Sequence, residues 1–370
     1  MDKRIGKGVI TAECRSDGSS VASELYANYP CRLHLISRPN NELIGHDCSA
    51  QEGGEEEEGK PQIMTRQSKA LTCYVLGYGG GLISGDNICL DIAVKPKASL
   101  VVTSQSTSKA FKAMKGRDAT FVKTQAIVGK GGLLFLVPQP MQCFGGSKLE
   151  QETQIVLDGG DKREGEGRMQ GVQSTNDDPS LILVDWYTGG RKNMDGGVWN
   201  MHSFHTSTIV SYSKQSLFPC EDNEENNNHD IDSTKIYTSN DHHLVFKDAT
   251  RLSGGKELVH HMKRFNIVCM VVLLGPRVKE ISDLFLSKFS SRHTYDETQH
   301  ESKKSQSSSL NQNRGEGLNG DHECLLVSCG TFNTLPGSNQ CENGAVVRLA
   351  ADTLETAGRC FSLDFCQKKF

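Results

Sequence analysis

Ile88-Cys89-Leu90-Asp91-Ile92-Ala93-Val94 places large apolar side chains at every second position, with smaller or polar ones between. Successive side chains of a strand point to opposite faces, so this spacing puts Ile88, Leu90, Ile92 and Val94 on one buried face. Lys95-Pro96-Lys97 then breaks the run as a turn. Outward from it, β-rich runs recur at 72–76, 99–103, 119–128, 133–137, 153–157, 181–187, 207–212, 244–247, 267–274 and 325–329. Gly129-Lys130-Gly131-Gly132 and Gly145-Gly146 punctuate them. Short strands at such regular spacing predict a sandwich, a barrel or a solenoid. Two stretches carry a helical stripe instead. Val278, Ile281, Leu284, Phe285 and Phe289 do so in 277–290, just after Pro276, and Val347, Ala350, Leu354, Ala357 and Phe361 do so in 346–361. The expected class is mainly β with two late α-helices.

The chain has 370 residues, 36% apolar and 23% charged, which is lean for a packed protein. The shortfall is local. Segments 46–62, 158–179, 219–243 and 291–323 show no apolar periodicity, and the first contains Glu55-Glu56-Glu57-Glu58. They read as mobile insertions within a single 1–370 domain, because they cannot bury enough apolar surface to offset ordering entropy. They hold 25 of the 45 acidic residues but only 9 of the 41 basic ones. The rest of the chain is therefore basic, although the formal net charge is −4. A basic body suits an acidic protein partner; nothing suggests stacked aromatics or a helix-turn-helix for nucleic acid. No apolar run reaches the length that spans a membrane, and no apolar stretch follows the basic N-terminus as in a secretory signal. The 13 cysteines form no CxxC pair, so reduced thiols in the cytoplasm are expected.

Several motifs invite chemistry. Gly79-Gly80-Gly81-Leu82-Ile83-Ser84-Gly85-Asp86 is Gly-rich, but it leads into a strand and lacks the Lys-Ser/Thr of a phosphate loop. A tight turn closed by Asp86 is the simpler reading. Ser106-Thr107-Ser108-Lys109 matches the SxxK of acyl-enzymes, yet that chemistry needs a helix start and a partner KTG, and the strand 99–103 leads in here. His202 and His205 are three apart; on a strand they face opposite ways and build no preformed metal site. No HExxH, EF-hand loop or Cys/His cluster occurs, so no tight metal site is expected.

In order, the ordered pieces resemble the UreD (UreH) family of urease accessory proteins. The carrying motifs are Gly80, Gly81, Gly85 and Asp86; Thr103, Gln105 and Lys109; Pro138, Gln139, Pro140 and Phe144; and Asp185, Trp186, Gly190 and Arg191, followed by Trp199. The resemblance covers about 71–289 and resumes at 344–361. It implies a stacked-strand, β-helix-like solenoid and a non-enzymatic scaffold. It also implies binding to UreF, recruitment of the GTPase UreG through UreF, and docking on apo-urease. Nickel would then be transient cargo in an internal water-filled passage rather than a bound cofactor. Oxygen-rich, dispersed groups suit such a passage, since a closed His/Cys cage would trap the ion. Asp86, Asp91, Asp185, Asp195, His202 and His205 are the candidates for that path. The alternative is a β-solenoid module that binds protein or carbohydrate and has no metal role.

Overall fold

The computed structural model describes residues 5–36, 70–159, 177–191, 197–218, 242–289, 325–333 and 343–357. Two mixed sheets face each other. The first runs β14(His242–Leu252), β13(Ser203–Ser213), β11(Lys148–Asp158), β8(Thr120–Val128), β5(Asn87–Val94), β1(Ile5–Cys14), β2(Ser20–Ala27). The second runs β16(Leu325–Asn333), β17(Asn343–Ala351), β15(Ile267–Leu274), β12(Ser180–Thr188), β9(Leu133–Leu136), β6(Ser99–Ser104), β4(Leu71–Gly77), β3(Cys31–Ile36). The chain crosses from one sheet to the other between β4 and β13, so that β5, β8, β11 and β13 pair in parallel, as do β4, β6, β9 and β12. Both flanks are antiparallel. The chain is thus mainly β, but the sheets are mixed and not closed, so the pairing does not establish the solenoid expected from sequence.

Burial follows the alternation read from sequence. Leu90, Ile92 and Val94 point between the sheets, where they meet Leu100, Val102, Leu134, Leu136, Ile155, Leu181 and Leu183, while Ile88 on the same face joins a second cluster with Leu82, Leu149 and Phe204. The central strands of the second sheet are covered on both faces, which explains their unbroken apolar runs. Their outer residues Phe135, Ile182, Val271 and Leu273 pack with Val278 and Phe285. These belong to a 3₁₀ turn at Pro276–Val278 and to the helix Lys279–Phe289. Within the expected stripe, Leu284 is exposed rather than packed. Arg277 pins this junction: its guanidinium donates to the Gly131 carbonyl at 3.1 Å and to Ser99 Oγ at 3.0 Å.

The second expected helix is corrected. Residues 346–351 belong to β17, hydrogen-bonded on both sides by β15 and β16; among the described residues of the stretch only 354–357 turn helical, and 358–361 lie outside them. Two-sided pairing overrides a helical spacing that β-branched Val346 and Val347 already disfavour. A short helix not read from sequence, Lys256–Met262, follows Gly255. Taken in chain order, it is α1 and Lys279–Phe289 is α2. The proposed insertions 46–62 and 291–323 lie outside the described residues, as do most of 158–179 and 219–243; of these, Asp158 ends β11, and His242 and His243 begin β14.

The two sheets meet differently at their two edges. Beside β1, a β-carbon on Gly6 would lie 2.6 Å from Pro30 Cδ, and one on Gly8 would lie 3.0 Å from Cys31 Sγ. Only Asn28, Tyr29 and Pro30 separate β2 in one sheet from β3 in the other. At the opposite edge, β14 meets β16 and β17 through side chains: Phe246 against Phe332 at 5.3 Å, and Asp248 against Arg348.

Candidate functional site

All four motifs meet at one end of the stack, where strands of the first sheet begin and those of the second end. Short strands β7(Ser108–Ala110) and β10(Met141–Cys143) lie side by side in parallel, and β10 also pairs with Tyr187 and Thr188. Leu82 joins the other side: its N–H donates to the Lys109 carbonyl at 2.6 Å, and Phe111 N–H donates back to the Leu82 carbonyl at 2.9 Å. Asp86 closes the Gly-rich turn, its Oδ2 accepting from Ile83 N–H at 2.9 Å. Trp186 Nε1 donates to the Pro138 carbonyl at 2.6 Å, and Gln139 N–H donates to Ser104 Oγ at 2.8 Å. The motifs are adjacent turns of one layer. Ser106 is exposed, and Lys109 lies in β7 rather than on a helix, so the acyl-enzyme geometry is not formed.

Trp199 anchors this layer, not Trp186, which is only half-buried. Trp199 is 0% exposed, with φ 60°, and its Nε1 donates to the Phe265 carbonyl at 2.8 Å. Its ring lies on Gly189, where a β-carbon would come within 2.5 Å of Cδ2. Gly190 has φ 100° and abuts the Cys143 carbonyl, so a side chain is excluded on both counts. Arg191 stacks over Phe144, 4.5 Å from the ring centroid, and Phe144 meets Phe111 edge-on. These residues, with Lys112 and His202, line an outward-facing cavity of about 800 Å³.

The sequence candidates do not gather. Asp86 serves the turn. Asp91 lies on the outer face of β5, 3.4 Å from Lys7 Nζ. His205 is also on the outer face of its sheet, His202 lines the cavity, and Asp195 lies outside the described residues. Among the described residues, no three His, Cys, Asp or Glu side chains come together to hold a metal.

Asp185 alone points between the sheets, and its surroundings went unread in the sequence. Thr206 Oγ1 donates to Asp185 Oδ2 at 2.9 Å. Around it, inward positions of neighbouring strands are polar: Thr124 beside Thr153, Thr153 beside Thr208, Thr208 beside Asp248, and in the next row Gln151 beside Thr206 and Thr206 beside Thr250. This forms a polar seam between two apolar clusters. On one side lie Tyr187, Trp199, Phe204 and Leu149; on the other lie Ile92, Ala126, Ile155 and Val210. Thr208 Oγ1 and Gln151 Oε1 are buried without a hydrogen-bond partner. Asp185, Gln151, Thr124 and Thr153 keep partial solvent accessibility although they face inward in the middle of the stack. This layer is therefore less completely buried than the apolar rows beside it. Desolvation pushes the Asp185 carboxyl up to about 6, the Thr206 hydrogen bond offsets part of the rise, and the Asp248 charge adds to it. A sequence signal did exist: a polar residue two positions before Thr recurs in Gln151/Thr153, Thr206/Thr208 and Asp248/Thr250.

The fold and site define a two-sheet β protein with a polar seam between its sheets and a layer of packed motif turns at one end. Comparison with known proteins makes the class specific. The family model for the UreD urease accessory protein matches residues 6–162. Urease accessory protein D of Oryza sativa subsp. indica is 26% identical over 266 residues, 72% of this chain and 64% of the rice protein. Urease accessory protein D of Arabidopsis thaliana is 26% identical over 298 residues, 76% of this chain and 78% of the relative. Urease accessory protein UreD of Sorangium cellulosum is 26% identical over 221 residues, 59% of this chain and 54% of the relative. Residues 6–162 thus match the UreD family of urease accessory proteins, and the similarity to proteins of that name extends over about three quarters of the chain. It spans somewhat less than two thirds of the rice relative's length.

Proposed function

We propose that this protein is a non-enzymatic scaffold of urease maturation that conveys nickel toward apo-urease, acting with UreF and, through it, the GTPase UreG. The observation that carries the reading is the polar seam around Asp185. An ion in transit needs a path it can enter and leave. Carboxylate, hydroxyl and amide oxygens beside water bind a borderline cation weakly, whereas imidazole and thiolate cages hold it. Asp185 supplies negative charge inside the stack, and the hydroxyls of Thr206 and Thr208 with the Gln151 carbonyl supply neutral oxygens along the same wall. The basic remainder of the chain suits an acidic partner surface. The passage would be stacked-strand walls on two sides, with the Trp199 layer at one end.

The test is reconstitution of apo-urease with UreF, UreG and nickel. Asp185→Asn keeps an acceptor for the Thr206 hydroxyl but removes the charge. UreF binding should be retained while urease activation falls severalfold. Activation equal to wild type would sink the reading of the seam as the nickel path.

A further inference from the structure

The seam reaches solvent at the edge where β14 faces β17. There Arg348 Nη2 lies 2.8 Å from Asp248 Oδ1, with side chains 50% and 26% exposed. Neither residue sits on an outer face. Asp248 pairs across the strands with Thr208, whose inward hydroxyl is orphaned, and Thr208 is 1% exposed. Arg348 pairs with Met270, which pairs in turn with Asp185 on the opposite wall. Asp248 is close enough to Asp185 for its charge to act on that carboxyl. The mouth of the seam therefore holds a carboxylate, and a guanidinium already occupies it.

We infer that Arg348 is a tethered counter-cation that closes this mouth, so that Asp248, backed by the Thr208 hydroxyl, takes a divalent cation only when the guanidinium leaves. Arginine cannot shed its charge at any physiological pH, so it is displaced only by competition. A cation would compete for Asp248, and a carboxylate on an acidic partner would compete for Arg348, which is half exposed and within reach. Docking would then open the mouth. This rests on the seam being a cation path, and it adds where the path opens and what holds it shut.

The test is Mn²⁺ titration of the untagged full-length protein by electron paramagnetic resonance. Mn²⁺ prefers oxygen donors and is held poorly by stray histidines. Arg348→Gln should tighten Mn²⁺ binding about fivefold, the scale of a partly exposed ion pair. Arg348→Lys keeps a cation at the mouth and should bind like wild type. Asp248→Asn placed on Arg348→Gln should abolish the gain. A folded Arg348→Gln variant with wild-type Mn²⁺ affinity overturns the inference. Should that variant not fold, Asp248→Asn alone decides: weaker Mn²⁺ binding supports the mouth, and unchanged or tighter binding overturns it. Urease activation is scored separately. A gain with Arg348→Gln alongside normal activation by Asp185→Asn keeps the gated cation site and discards the nickel path.

Discussion

Two neighbouring rows between the sheets follow opposite rules. Ile92, Ala126, Ile155, Val210 and Phe246 run across five strands as a closed apolar row. Two residues along the same strands, Leu90 meets Thr124, then Thr153, Thr208 and Asp248. The first row removes apolar surface from water and supplies stability. The second keeps polar groups between sheets at a cost in stability, since orphaned buried acceptors and a desolvated carboxylate both favour the unfolded chain. The same strands thus carry an apolar row that stabilises the stack and a polar row that costs it stability.

The contrast can be broken at one strand. Ile155→Ala should cost about 2–5 kcal/mol, from lost transfer free energy plus the cavity left behind. Thr153→Ala, two residues away on the same face, should cost less than about 1 kcal/mol, because its surroundings are less completely buried. Urea denaturation of both variants checks this, and equal losses would mean the seam is as tightly packed as the core. Asp185→Asn sharpens the contrast by improving stability. The carboxyl titrates near 6 in the folded protein against an ordinary 3.8. Above pH 6 the folded state must keep a charge it disfavours, so wild-type stability falls as pH rises from about 4 to about 6. The variant should therefore be more stable by about 3 kcal/mol at pH 8, and the difference should vanish by about pH 4. Melting curves across that range decide it; a variant less stable at pH 8 would refute it. The smallest effect belongs to the outer face. Asp91→Asn removes the Lys7 pair, whose side chains are 51% and 20% exposed, and should cost less than about 0.5 kcal/mol, with loss in high salt. It should leave Mn²⁺ binding unchanged; weaker binding would place a cation site on that outer face.

The strands were legible because burial on one or both faces writes a period of two or an unbroken run into the sequence. Ile88 to Val94 shows the first, and Leu133-Leu134-Phe135-Leu136 the second. β17 was not legible: Val347, Ala350, Leu354 and Ala357 sit at helical spacing, and only pairing with β15 and β16 decides against a helix. Asp185 and Trp199 stood out as motif residues, but which tryptophan is fully buried depends on Gly189 lying under one ring. The seam's other members belong to four strands scattered between 124 and 250, and Arg348 lies a hundred residues further on. Cross-strand register brings them together, and a single sequence does not encode register in any local pattern.

The unequal edges of the stack have a mechanical consequence. At β1 the two sheets touch almost backbone to backbone beside Gly6 and Gly8, and three residues stitch β2 to β3. At β14, among the described residues, they meet through side chains, including the Phe246–Phe332 ring contact and the Asp248–Arg348 ion pair. A body stitched along one side and clasped along the other is built like a book, with the spine at the glycines and the fore-edge at Arg348. Any force that parts the sheets does least work at the fore-edge, so a partner gripping β14 and β17 would have the greatest leverage on what lies between the covers.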